Sequence, residues 1–90
     1  MAALKLNQWQ VYIVQCADDT LYTGVTNNLD QRLENHNSGK GAKYTRVRLP
    51  IKLVYAEVCK NRSAASQREW AIKQFSRLDK LKLIASSVEI

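Results

Sequence analysis

The sequence predicts a small α/β protein of the α+β kind: one three-stranded sheet with helices packed on it, in the order β-β-α-β-α-α. Three observations carry this. A chain of 90 residues suits one core, and two would be hard to build from it. Two runs rich in β-branched and aromatic residues, Trp9 to Cys16 and Leu21 to Thr26, stand close together near the start. Later stretches open on Asn or Ser and place apolar residues at helix-compatible positions.

The first strand reads WQVYIVQC, with an unbroken apolar centre from Val11 to Val14. Ala17-Asp18-Asp19-Thr20 is rich in turn formers, so LYTGVT returns as the second strand of an antiparallel hairpin. Gly24 inside that run signals close approach of another backbone or of a ligand. Asn27 or Asn28 caps the next helix, where Leu29, Leu33 and His36 share a face. That helix should fail near Asn37-Ser38-Gly39, with Gly39 just past its end. Gly39 to Arg48 reads as a basic loop. Ile51 to Val58 alternates as a third strand, with Leu53, Tyr55 and Glu57 on one side and Lys52, Val54, Ala56 and Val58 on the other. Asn61 or Ser63 opens a helix to about Phe75, with Ala64, Ala65, Trp70, Ile72 and Phe75 as its apolar positions. A short last helix spans Leu78 to Ile84, and Ala85 to Ile90 should fray. The domain is therefore expected over residues 9–84, between an extension of residues 1–8 and a tail of residues 85–90.

Fourteen Lys and Arg against eight Asp and Glu leave a net charge of +6. So large a charge on so small a body favours a polyanionic partner or a negatively charged membrane surface. No apolar run approaches the ~20 residues of a membrane span. Met1 to Trp9 lacks the apolar centre of a secretory signal, so the expected place is the cytoplasm, without a membrane partner. Cys16 and Cys59 form no CxxC pair and are too few for a zinc site. They read as buried thiols, with a disulfide as the other option.

Four constellations carry possible chemistry. Tyr12 and Tyr22 lie on adjacent predicted strands, where a hairpin brings two phenols onto one face; plain core tyrosines are the alternative. Arg32 and His36 are one helical turn apart and together suit a phosphate group, or else form an ordinary helix face. Glu69, between Arg68 and Trp70, falls at the edge of the buried face if Trp70 and Ile72 point inward. A carboxylate there suits a hard divalent ion, or simply pairs with Lys73. Finally, Lys40, Lys43, Tyr44, Arg46 and Arg48, with Lys52 just beyond Pro50, combine cations with an aromatic ring, a pattern that suits nucleic acid as well as a solvated loop.

In combination and in order, these elements resemble the GIY-YIG nuclease superfamily, over nearly the whole chain from about Trp9 to Ile84. Val11-Tyr12-Ile13 stands for its first motif and Tyr22-Thr23-Gly24 for its second, with matching separation. Arg32, His36 and Glu69 fall at the family's helix arginine, at its following His or Tyr, and at its metal-binding glutamate. The run Ser38-Gly39-Lys40-Gly41-Ala42-Lys43-Tyr44-Thr45 resembles the small stand-alone UPF0213 subgroup. Val11 and Thr23 replace the eponymous Gly and Ile, and Leu81 stands where many members have an Asn.

The resemblance implies the GIY-YIG endonuclease fold and hydrolysis of phosphodiester bonds in DNA, in the setting of DNA repair or recombination. It implies one divalent metal, Mg²⁺ or Mn²⁺, held by Glu69, and no other cofactor. Arg32 would bind the phosphate. Tyr12 or Tyr22 would act as general base, the other orienting the water, and His36 would assist. The sheet face with both tyrosines, rimmed by Arg32, Lys40, Lys43, Arg46 and Arg48, would meet DNA in a salt-sensitive way. Two readings compete: a nucleic-acid-binding module without catalysis, and a small interaction protein whose basic face meets an acidic partner or membrane surface.

Overall fold

The structure, a computed structural model, describes residues 8–86. Its elements are β1 (Gln10–Gln15), β2 (Leu21–Thr26), α1 (Leu29–Asn37), α2 (Lys43–Arg46), β3 (Lys52–Val58), α3 (Arg62–Lys73) and α4 (Arg77–Ser86). The six predicted elements are present in the predicted order, and α2 is added to them.

The sheet order is β2-β1-β3, antiparallel throughout. The central strand explains its own composition. Val11 and Ile13 face α3 and α4, meeting Ala65 and Ile72 with Phe75 and Leu83 beside them. Tyr12, Val14 and Cys16 face the other way, onto Leu29 and Leu33 of α1 and the chain at Leu49 and Ile51. A strand covered on both faces reads as a continuous apolar run, which is why VYIV shows no alternation.

The hairpin turn is fastened by Asp18, whose carboxylate accepts from both the backbone N–H and the hydroxyl of Thr20. Helix α1 starts where Asn28 accepts from the Gln31 backbone N–H, and Asp30 lies in its first turn, where the helix dipole favours negative charge. It ends at Ser38, with Gly39 at φ +84°, the left-handed conformation that glycine takes without strain. Asn37 then bonds both backbone groups of Ile51, tying this end of α1 to the start of β3.

The third strand departs from the predicted alternation. A bulge against β1 pairs Ile13 with Tyr55 but Val14 with Leu53, leaving Val54 as the extra residue. Val54 and Tyr55 therefore both pack toward the core shared with α3, while Leu53 is exposed. Helix α3 opens on Asn61, whose side chain accepts from Ala64 N–H. Its inward residues are Ala65 and Ile72, seven apart and so on one face. Trp70 falls well off that face and is 67% exposed, contrary to its predicted inward position. Helix α4 continues through Ser86, so Ala85 and Ser86 are helical; the rest of the predicted fraying tail, residues 87–90, and most of the predicted extension, residues 1–7, lie outside the described residues.

The predicted basic loop is more structured than its composition implies. Lys43 to Arg46 form one helical turn, α2, with Thr45 wholly buried. Arg48 O accepts from Ala17 N–H, anchoring the segment to the hairpin turn. Both cysteines are free; Cys16 is buried, and burial pushes the Cys59 thiol above its ordinary range.

Candidate active site

Tyr12 and Tyr22 project from the same face of the hairpin. Tyr12 sits opposite Gly24 and Tyr22 opposite Val14. The Tyr12 ring lies across Gly24: a Cβ there would stand 2.5 Å from the phenol oxygen and 2.7 Å from Cζ. The close approach that Gly24 signals is thus a side chain of the same sheet, neither another backbone nor a ligand.

The phenol meets α1. Tyr12 Oη lies 2.9 Å from His36 Nε2, and Arg32 Nε donates to the same oxygen at 3.2 Å. His36 is wholly buried, and its Nδ1 lies 2.7 Å from Thr45 Oγ1 on α2. The Tyr22 ring stands edge-on to His36, with centroids 5.6 Å apart, and stacks on Tyr44 at 6.0 Å. Glu69 is half-buried on α3 and bonds Lys73 at 2.9 Å; the Lys73 ammonium lies 6.0 Å from the Tyr22 ring. Helix α3 thereby brings its carboxylate to the β2 edge of the sheet, close enough for its charge to act on Tyr12. All five residues of the proposed catalytic set, Tyr12, Tyr22, Arg32, His36 and Glu69, converge from four elements.

Burial sets the protonation states. It pushes the Tyr12 phenol above its usual value of 10.0, against the pull of the Arg32 hydrogen bond, and the Glu69 charge adds to the rise. Burial draws the Arg32 guanidinium down, but the bonds and negative potential of Tyr12 and Tyr22 outweigh this and hold it above its ordinary value. Burial, then the Arg32 charge, holds His36 below 6.5, so its ring is neutral at pH 7. The chain has one histidine, so an NMR titration reports it without ambiguity. Its midpoint is expected below 6.5. Between that midpoint and 6.5 the unfolded chain binds the proton that the buried ring refuses, so stability should fall as pH drops through this window. A midpoint at or above 6.5 would contradict the burial argument.

The cationic set is less uniform than its sequence. Lys40, Lys43 and Arg46 are exposed, and among the described residues none of their side chains has an ion pair or hydrogen bond. Arg48 is committed: it bonds the Asp18 carboxylate at 3.0 Å and the Tyr44 carbonyl at 2.8 Å, and its guanidinium lies 3.9 Å from the Tyr44 ring centre. Tyr44 is in turn engaged by Tyr22 and Arg48 rather than free to stack on a base. The sheet face itself is covered by α1 and α2, so Tyr12 is buried rather than spread on an open surface. The half-buried members, Tyr22, Arg32 and Glu69, make the exposed rim of the site.

Thr45 and Gly41 belong to the run of residues 38–45, but the sequence assigns neither a place in the site. A Cβ on Gly41 would collide with His36, 2.8 Å from its Cα and 2.9 Å from Cγ, so the loop lies directly against that residue. The available signal was two glycines within three residues, which let the chain double back on the helix before them.

The family model of the GIY-YIG catalytic domain matches residues 8–82. The chain belongs to the GIY-YIG family. Within it, the UPF0213 protein of Desulfotalea psychrophila is 59% identical over 80 residues, covering 88% of this chain and 73% of its own. That of Staphylococcus haemolyticus is 55% identical over 74 residues, covering 82% and 90%. The solution NMR structure of a UPF0213 protein from Bacillus halodurans matches with a TM-score of 0.60 at 39% identity, over 91% of this chain and 87% of that one. A second NMR structure, from E. faecalis, gives a TM-score of 0.61 at 34% identity, over 88% and 84%. The GIY-YIG match points to the endonuclease superfamily.

This family's metal has a limited set of donors here. Among the described residues no cluster of three or more His, Cys, Asp or Glu could hold an ion. The lone Glu69 carboxylate, with one oxygen on Lys73, fits a hard ion such as Mg²⁺ or Mn²⁺ that keeps waters and takes phosphate oxygens. It does not fit a metal enclosed by protein ligands.

Proposed function

We propose that this protein is a metal-dependent endonuclease that hydrolyses phosphodiester bonds in DNA. The observation that carries the reading is the buried Tyr12 phenol, bonded to both a neutral His36 and the Arg32 guanidinium. A tyrosine alone is a poor base near pH 7, and burial makes it worse. Paired with an imidazole it needs no free phenolate. Tyr12 is closed to solvent in the free protein, so the attacking water enters with the bound substrate; Tyr12 then takes its proton while passing its own to His36 Nε2, so the basicity used is that of the ring.

Arg32 spends one donor on Tyr12 and has others for a phosphate, which sets the scissile group beside the base. Tyr22, at the half-exposed mouth, orients the water. Glu69 would hold the divalent ion, which would supply Lewis-acid charge stabilisation to the phosphate. Lys40, Lys43 and Arg46 give the salt-sensitive hold on the backbone. A second reading, a DNA-binding module without catalysis, is favoured by the Glu69–Lys73 pair, which already neutralises the carboxylate.

Cleavage of supercoiled, linear, branched and single-stranded DNA, with Mg²⁺ and then Mn²⁺, separates the two. Wild type should cut, chelation should stop it, and Glu69→Ala should lower the rate about 100-fold or more with the fold unchanged. Salt-sensitive binding with no cleavage on any of these substrates would favour the binding module. Equal cutting by Glu69→Ala would remove Glu69 from the site.

A further inference from the structure

Thr45 lies in a cationic run, yet it is wholly buried and its hydroxyl meets a ring nitrogen of His36. We propose that His36 carries its proton on Nδ1, a direction set by Arg32 and Tyr12, and that Thr45 is the positioning residue that accepts this proton's hydrogen bond, leaving Nε2 as the acceptor for the Tyr12 phenol. What this tautomer is for rests on the endonuclease reading above; whether it exists does not.

The hydrogens decide it. Four contacts form one chain: Arg32 Nε to Tyr12 Oη at 3.2 Å, Tyr12 Oη to His36 Nε2 at 2.9 Å, His36 Nδ1 to Thr45 Oγ1 at 2.7 Å, and Thr45 Oγ1 to the Ala42 carbonyl at 3.0 Å. The ends are fixed, because a guanidinium N–H only donates and a carbonyl only accepts. A neutral imidazole has one N–H. With it on Nδ1, every donor in the chain has an acceptor: Arg32 donates to Tyr12, Tyr12 to Nε2, Nδ1 to Thr45, and Thr45 to Ala42.

With the proton on Nε2 the chain breaks in the middle. The Tyr12 oxygen then faces two N–H donors, and its own hydrogen has no acceptor among the described residues. The Thr45 hydrogen turns to Nδ1 and leaves Ala42, whose carbonyl keeps the Thr45 and Arg46 N–H groups, so the cost falls on the Tyr12 hydroxyl. Tyr12, His36 and Thr45 are all wholly buried, so water does not make good the unmatched hydroxyl. The bare Gly41 lets the loop lie against His36, and the turn of α2 that follows aims Thr45 at Nδ1. The direction of this chain gives the phenol somewhere to send its proton; the opposite direction makes His36 a donor to Tyr12 and removes the acceptor.

Long-range ¹⁵N–¹H NMR of the single histidine reads the tautomer directly. Wild type should show a protonated Nδ1 and a bare Nε2. Thr45→Val, of nearly the same shape, should leave the buried Nδ1–H without its acceptor and move its signals away from the wild-type pattern, and Thr45→Ser should restore them. In single-turnover cleavage, Thr45→Val should lower the rate about 10–100-fold with KM unchanged, and Thr45→Ser should recover to within about threefold. A bare Nδ1 in wild type, or a Thr45→Val spectrum that keeps the wild-type pattern, overturns the proposal. If Thr45→Val does not fold, the wild-type and Thr45→Ser spectra decide the question. An Nδ1–H ring in a protein that cuts no DNA upholds the role of Thr45 and sinks the endonuclease reading. Robust cutting with an Nε2–H ring does the reverse.

Discussion

Tyr12→Phe should lower DNA cleavage by about 10³-fold or more, within the range that general acid–base groups contribute. The substitution keeps the ring over Gly24 and the packing beneath α1, and removes only the oxygen that joins Arg32 to His36. KM should change little, because Arg32 and Glu69 remain. Stability should fall by about 1–3 kcal/mol, since the buried Nε2 loses its partner. Tyr22→Phe should cost far less, because among the described residues Tyr22 lacks the contact with His36 Nε2 that gives Tyr12 a proton acceptor. Single-turnover rates of the two variants check this. A Tyr12→Phe protein cutting within a few-fold of wild type would move the base elsewhere.

Gly24→Ala should damage both fold and activity. Its Cβ would stand 2.5 Å from the Tyr12 phenol oxygen and 2.7 Å from Cζ, too close for either to stay in place. The obstacle is a rigid ring held at its far end by two hydrogen bonds, on a strand with no room to shift. Overpacking of this kind costs about 1–3 kcal/mol, read as a lower urea midpoint. In whatever fraction stays folded the ring must tilt, which lengthens the bonds to His36 and Arg32, so cleavage should fall further than stability alone explains. Unchanged activity with unchanged stability would mean that the ring has another place to go. This gives a physical reason for a glycine at the end of Tyr22-Thr23-Gly24: it makes the space in which the tyrosine of the neighbouring strand lies.

The parts of the fold legible in the sequence were those set by local chemistry. The hairpin announced itself through β-branched runs around a turn, and α1 through Asn28 at one end and Gly39 at the other. What stayed hidden depends on distant partners. The bulge at Val54 is a property of the pairing between β1 and β3, so a single strand's alternation does not report it. Helix α2 has four residues, no side-chain cap and one buried residue, and it is ordered by bonds to His36 and the hairpin turn. Trp70 looked like core because it is large and apolar, but Ala65 and Ile72 define the inner face of α3 and Trp70 lies off it.

The site showed the same division. The residue types and their order suggested Tyr12, Tyr22, Arg32, His36 and Glu69, and these converge. The roles of Thr45 and Gly41 emerge only from the folded loop. The engagement of Arg48 with Asp18 likewise depends on a segment thirty residues away in the chain.

Strand β1 is the middle strand of the sheet, and its faces carry different duties: Val11 and Ile13 belong to one apolar cluster, Tyr12 and Val14 to the other. Its amides are bonded to neighbours on both sides, so they exchange with solvent through the most extensive openings of the molecule rather than through local fraying. Tyr12 is therefore expected among the slowest-exchanging residues of the domain. Many binding sites sit on mobile loops and lose their shape well before the scaffold melts. Here the central phenol is part of the scaffold, and its geometry persists for as long as the chain stays folded.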